Sequence, residues 1–176
     1  KKNEDDQLVR KLSWMGIDKD TYARDNGNYK WKYEVDYLGY KDHGNSIMAG
    51  IALVQLKYLD EDNAYRRKLA SLYDELFKNN EKIQIIGAPY KEECSYHIYE
   101  IAVPDREGLL SELAINDIYG GVHYRDNTEY DMYAYDHGKC PYAHEISQKL
   151  ITLPLHLWLT EEDVRRIAAI VNKFVK

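Results

Sequence analysis

The alternation of apolar and polar positions divides the 176 residues into segments of distinct period. Near the start, Leu8, Leu12 and Met15 share one face of a helix predicted over residues 3–16. Asn3 caps it, Glu4, Asp5 and Asp6 suit its positive end, and Gly16 stands just past its last turn. A polar, turn-rich stretch from Lys19 to Asn28 reads as a surface loop. Trp31, Tyr33, Val35 and Tyr37 then alternate with Lys30, Lys32, Glu34 and Asp36, the period of a strand. Ile47, Ile51, Val54, Tyr58, Tyr65, Leu69, Leu72 and Leu76 recur by fours, threes and a seven, which predicts one helix from Ser46 to Lys78. At about 1.5 Å per residue it would run roughly 50 Å, enough to bridge two bodies or line a subunit boundary. The heptad is not sustained, which argues against a coiled coil.

After Asn79 the pattern becomes that of a small α/β unit. KIQIIG and YHIYEIAV read as strands, and IYGGVHY as another, loosened by Gly120 and Gly121. DREGLLSELAIND predicts a short helix capped by Asp105, with Leu109, Leu110 and Leu113 inward. Pro141 to Leu150 is a further helix. In the closing TEEDVRRIAAIVNKFVK, Thr160 and Asp163 form a capping box and Val164, Ile167, Val171 and Phe174 a buried stripe.

A net charge of -6 disfavours a general grip on nucleic acid, which needs clustered Lys and Arg. No apolar run approaches the roughly 18 residues that span a membrane, and Lys1 to Arg10 lacks the pattern of a secretory signal. Cys94 and Cys140 do not make a disulfide framework, so a reduced, cytoplasmic setting is expected. Seventeen Tyr against two Phe suits interfaces and wet pockets, where a hydroxyl finds a partner.

Four stretches carry candidate chemistry. In KDHGNS, Lys41, His43, Gly44, Asn45 and Ser46 crowd before a helix N-terminus, where unpaired N–H groups attract anions. The turn reads either as a phosphate clip or as an ordinary cap preceded by a turn. His97, in SYHIYEI, reads as a hydrogen-bonded strand histidine or a site residue. GGVHYRDNTEY offers two glycines, His123, Tyr124, Arg125 and Asn127 at a strand end, a ligand-loop composition. His137, Cys140 and His144 in HGKCPYAH match no zinc spacing, so no metal site is expected. No GxSxG, HExxH, phosphate-loop or dinucleotide fingerprint occurs.

Four segments in register resemble the C-terminal part of the DegT/DnrJ/EryC1/StrS family of pyridoxal-phosphate sugar aminotransferases. LGYKDHGNSIMAGIALVQLKYLDEDNAYRRKLASLYDELF is similar to the family's loop and long helix, and SYHIYEIAV to its S-x-H-L-Y strand. GGVHYRDNTEY resembles its G-V-H-Y loop, and ITLPLHLWLTEEDVRRI its S-L-P-L-H segment. The resemblance implies an α/β chain, the C-terminal part of a fold type I transferase. Residues 1–44 would be the tail of the large cofactor domain, 45–78 a bridging helix and 79–176 a small C-terminal domain.

It further implies amino transfer from glutamate to a nucleotide-linked keto-sugar, with active sites shared across a homodimer. The long helix and the 39–46 loop would form the dimer contact. Lys41, His43, Asn45 and Ser46 would face the cofactor phosphate. His123, Tyr124, Arg125 and Asn127, with His97, would face the sugar nucleotide, and His156 would brace the small domain. Asp42 stands where the family commonly has an aromatic, and Gly44 where it has Met. The family's cofactor-holding lysine would lie ahead of Lys1, so the chain is expected to be a portion that does not transaminate alone. A related sugar dehydratase, with histidine in place of that lysine, and a non-catalytic assembly module are the alternatives.

Overall fold

A computed structural model describes residues 2–17, 35–42, 44–87 and 90–176. The chain divides into two units, Lys1–Lys57 and Tyr58–Lys176. The predicted loop over Lys19–Asn28, most of the strand beginning at Trp31, and His43 lie outside the described residues.

In the first unit, α1 spans Lys2–Ser13: it stops short of the predicted residue 16, and Asn3 lies inside it rather than capping it. Gly16 takes φ +75° and its N–H returns to the Lys11 carbonyl at 2.9 Å. A Cβ on Gly16 would lie 1.8 Å from the Tyr37 carbonyl oxygen, so this position requires glycine twice over. Residues after α1 run antiparallel to 35–41 through single bridges, Ile17 with Val35 and Trp14 with Lys41. Of the alternation ending at Tyr37, residues 35–37 are described, and Val35 makes the bridge to Ile17. α2 spans Ser46–Gln55, and none of its residues is buried.

The single helix expected from Ser46 to Lys78 is two helices, α2 and α3 (Leu59–Phe77), separated by a turn at 56–58. At the break the Lys57 N–H bonds to Val54, three residues back, at 3.2 Å, and Tyr58 takes φ −104° and ψ −5°. The tightened turn moves the backbone out of the i→i−4 ladder without Gly or Pro. The boundary between the two units falls within it.

The second unit is built on a three-stranded antiparallel sheet: β1 (Gln84–Ile86), β2 (Tyr99–Ala102) and β3 (Leu150–Leu153), in that order. Its helices are α3, α4 (Arg106–Ile115), α5 (Pro141–Lys149) and α6 (Glu161–Phe174). The register sets Tyr99 opposite Leu153 and Ile101 opposite Ile151, and these four join the core with Leu69, Tyr73 and Phe77 of α3, Leu109 and Leu113 of α4, and Val164, Ile167 and Val171 of α6. Because strand side chains alternate, Glu100 and its partner Thr152 occupy the other face.

The tyrosines tie this core to the chain that follows β3. The Tyr73 ring lies 4.7 Å from that of Tyr99 and 5.8 Å from that of Phe77, both stacked. Its buried hydroxyl donates to the Pro154 carbonyl at 3.1 Å, and Tyr65 donates to the Leu159 carbonyl at 2.8 Å. Tyr99 donates to Asp74 at 2.8 Å, and burial pushes the Tyr99 and Tyr73 hydroxyls well above the ordinary phenol range.

In this unit the local caps act as predicted. The Asp105 side chain accepts from the Gly108 N–H, and Thr160 and Asp163 form both halves of the capping box. Two predicted strands differ. Tyr96 takes φ +47°, a left-handed conformation that ends extended pairing, so β2 begins at Tyr99 and His97 stands ahead of it. IYGGVHY contributes one bridge, between Gly121 and Thr152, instead of a strand.

Replacing Ile151 by Ala, at the fully buried centre of the sheet, is expected to destabilise the fold by about 2–5 kcal/mol in urea unfolding. The Thr160 hydroxyl and N–H hold the Asp163 carboxyl below its ordinary range. That contribution is present above the unfolded value, about pH 4, and disappears as pH falls through the lower folded value. Acid titration of stability should therefore be shallower in Asp163→Asn than in the unsubstituted chain. Thr160→Ala should cost about 1 kcal/mol.

Candidate functional site

The residues singled out in the sequence fall in both units, and each group has its own surroundings. In the first unit, the segment leading to α2 is pinned at its start, where the Asp42 N–H donates to the Ser13 carbonyl at 3.1 Å. The Lys41 ammonium lies over the Trp14 ring, 5.5 Å from its centroid. Asn45 is the N-cap of α2: its Oδ1 accepts from the Met48 N–H at 2.9 Å. The Asn45 amide nitrogen and the Ser46 hydroxyl make no hydrogen bond among the described residues. A Cβ on Gly44 would meet nothing within 4 Å. Asn45 and Ser46 thus stand at the positive end of α2, and Lys41 and Asp42 precede them in the chain.

In the second unit, the sheet's outer face carries the Gly-Gly-Val-His-Tyr loop. Gly121 exchanges both backbone hydrogen bonds with Thr152, donating at 2.9 Å and accepting at 2.7 Å. Glu100, Thr152 and Gly121 therefore stand side by side across the sheet. His123, two residues on, brings Nδ1 to 2.9 Å from Thr152 Oγ1. A Cβ on Gly121 would lie 2.9 Å from His123 Cε1, so the absence of a side chain there admits the ring. Glu100 Oε1 is buried with no hydrogen-bond partner among the described residues. Burial raises the Glu100 carboxyl above its ordinary range, and the nearby charges of His123 and His97 oppose that.

Beyond His123 the chain borders a groove of about 520 Å³. Tyr124, Arg125 and Asn127 line one side, and Cys140, Ile146 and Ser147 of the α5 segment the other. The wall is held by an ionic network. The Asp126 side chain, 5% exposed, accepts from the Thr128 N–H at 2.8 Å and hydroxyl at 2.9 Å, and stands 3.1 Å from His144 Nδ1. These donors, Thr128 first, hold the Asp126 carboxyl below its ordinary range. Glu129 receives Arg125 Nε at 3.1 Å and Gln148 Nε2 at 3.1 Å, with His144 Nδ1 at 3.3 Å. Arg125 also covers the Tyr130 ring at 4.9 Å, which presents its guanidinium along the groove wall as a braced group.

His123, Tyr124, Arg125 and Asn127 are thus brought together in one segment, whereas His97 and His156 are exposed away from the groove lining. His144, considered in the sequence beside Cys140 as a metal ligand, is instead the partner of Asp126 and Glu129. Among the described residues no group of three His, Cys, Asp or Glu is arranged to hold a metal ion, and no helix is long and apolar enough to cross a membrane. Glu100, Thr152, Asp126 and Glu129 were not singled out in the sequence. Period-two patterning through β2 and β3 would have found the first two; the others depend on α5 returning to the loop.

Comparison with known proteins gives the family. The model of the DegT/DnrJ/EryC1/StrS aminotransferase family matches residues 2–172. A putative sugar aminotransferase of Streptococcus pneumoniae, Spr1654 in its PMP form, superposes with TM-score 0.79 at 27% identity, covering 100% of this chain and 47% of that one. The sugar aminotransferase CalS13 of Micromonospora echinospora shares the fold, with TM-score 0.82 at 24% identity over 98% of this chain and 45% of its own. MJ1066 of Methanocaldococcus jannaschii, an uncharacterized protein, is 26% identical over 96% of this chain and 46% of its own length. The chain therefore spans about half the length of the relatives it matches. With the family model matched from Lys2 to Asn172, across both units, the chain belongs to the DegT/DnrJ/EryC1/StrS aminotransferase family.

Proposed function

We propose that the chain is the C-terminal portion of a pyridoxal-phosphate-dependent nucleotide-sugar aminotransferase, moving an amino group from glutamate to a nucleotide-linked keto-sugar. The observation that carries this reading is the groove beside His123, where Tyr124, Arg125 and Asn127 meet on a wall braced by Asp126 and Glu129. An aromatic ring, a guanidinium and an amide on one edge suit a nucleotide sugar: a base or sugar face to stack, a diphosphate to neutralise and hydroxyls to bond. His123 stands at the inner end of the same segment.

The residues ahead of α2 fit the cofactor's phosphate. Lys41 brings positive charge, the Asn45 amide nitrogen and Ser46 hydroxyl are available donors, and the α2 dipole favours an anion. His43 belongs to this proposed set and lies outside the described residues. When bound, pyridoxal phosphate supplies the carbonyl that carries the amino group between donor and acceptor. The chain's own contribution is to hold the phosphate and orient the sugar, and none of the residues assigned here is a covalent anchor for the cofactor. This chain by itself then does not transaminate.

The α2 surface supports a homodimer contact. Ile47 is 77% exposed and Leu53 66%, on a helix with no buried residue. An apolar stripe of this length is a surface that another body covers. We further propose a cytoplasmic setting, in keeping with a reduced environment for Cys94 and Cys140.

The purified chain, supplied with pyridoxal phosphate, glutamate and a nucleotide-linked keto-sugar, is expected to give no turnover. It should still bind a uridine diphosphate hexose in equilibrium dialysis, and Arg125→Ala should weaken that binding roughly tenfold. Turnover by the chain alone, or an affinity that Arg125→Ala leaves unchanged, would contradict the reading.

A further inference from the structure

Arg125 is held along one edge and one face. Its Nε donates to Glu129 Oε2 at 3.1 Å and its Nη2 to the Glu129 carbonyl at 3.2 Å. These two nitrogens form the side edge of the guanidinium, so a single residue takes that edge through both its side chain and its backbone. The Tyr130 ring lies against the face, 4.9 Å away. Nη1 makes no hydrogen bond among the described residues, and with the second hydrogen of Nη2 it forms a terminal fork. Arg125 lines the groove, and Glu129 does not.

A carboxylate beside an anion-gripping guanidinium competes with the anion for it, so its presence there needs a reason. An exposed pair four residues apart would contribute little. This pair differs because the Glu129 side chain is only 23% exposed and its other oxygen is engaged by α5. Gln148 Nε2 donates to Oε1 at 3.1 Å, and His144 Nδ1 stands 3.3 Å from the same atom. One carboxylate oxygen therefore faces the helix and the other faces Arg125. Both oxygens of Asp126, the next residue in the chain, are taken by Thr128 and His144. Glu129 is thus the carboxylate that aligns the guanidinium.

We propose that Glu129 is a positioning residue for Arg125: a carboxylate fixed on α5 occupies the side edge of the guanidinium and so presents its terminal fork to a diphosphate in the groove. The assignment rests on the reading of this groove as the sugar-nucleotide site and adds the edge by which Arg125 meets the ligand. Glu129 itself touches no ligand in this scheme. Its contribution is geometric, because two parallel N–H bonds from a fixed fork hold a phosphate more strongly and more directionally than a swinging cation does.

The sign of one substitution tests this, with inorganic pyrophosphate as the probe in equilibrium dialysis against the chain. Were Glu129 only a nearby negative charge, Glu129→Gln would tighten pyrophosphate binding. As a positioning residue, its loss should weaken binding roughly fivefold. With Arg125→Ala already in place, Glu129→Gln should no longer weaken it. In nitrogen-15 spectra the Arg125 Nε–H signal should stand apart from those of exposed arginines, and Glu129→Gln should return it to them. Core signals of Tyr73 report whether each variant is folded. If Glu129→Gln is not, Gln148→Ala decides: it leaves both charges in place, loosens Glu129 from α5 and should weaken pyrophosphate roughly twofold. Tighter or unchanged binding in the deciding variant overturns the proposal, as does an Nε–H signal that Glu129→Gln leaves in place. An Nε–H signal that moves in a chain blind to pyrophosphate upholds the hold of Glu129 on Arg125 and overturns the diphosphate reading of the groove instead.

Discussion

The antiparallel pairing of β2 with β3 is the constraint on which the second unit depends. Its register commits alternate residues to opposite fates. Tyr99, Ile101, Ile151 and Leu153 enter the core beneath α3, α4 and α6, and Glu100 and Thr152 must then share the outer face. A slip of one residue would turn the carboxylate and the hydroxyl into that core and move four apolar side chains to the face that carries His123. The stacked Tyr73, bonded to Pro154 just beyond β3, and Tyr65, bonded to Leu159, hold the register from the helix side. The apolar core and the polar row that supports His123 are thus two consequences of one pairing.

A second layer of organisation is ionic and lies at the groove. Asp126 has its demand for donors met by Thr128 and His144, and Glu129 gathers Arg125, His144 and Gln148. These links join the loop after His123 to α5 without using the residues' apolar surface. The groove wall is thereby fixed by hydrogen bonds that join the buried Asp126 to the more exposed His144, and Glu129 to the more exposed Arg125. The apolar α2, by contrast, has no buried residue.

Much of the fold is legible in the sequence where the signal is local. Asp105, the Thr160–Asp163 box and Gly16 each mark a helix end within a few residues, and the α6 stripe follows from its 3.6-residue period. The break at 56–58 is not legible, because Leu56, Lys57 and Tyr58 carry helix-compatible side chains and Tyr58 continues the apolar stripe. The start of β2 is hidden likewise, since Tyr96 looks like a strand residue and adopts a left-handed φ in its place. Of the candidate site, the His123–Asn127 run is visible as a loop composition, and four matching segments point to the family. Its supports are not visible, because Thr152 lies across the sheet and His144 on a helix that returns from further along the chain.

The central claim is that the outer face of this sheet and the adjoining groove form the sugar-nucleotide half of an aminotransferase site. Mapping backbone amide shifts of the chain on titration with a nucleoside diphosphate tests it most directly. The account predicts saturable changes confined to Gly121 through Thr128, Ser147 and Thr152. Changes confined to the opposite face of the unit, or none at saturating ligand, would contradict it.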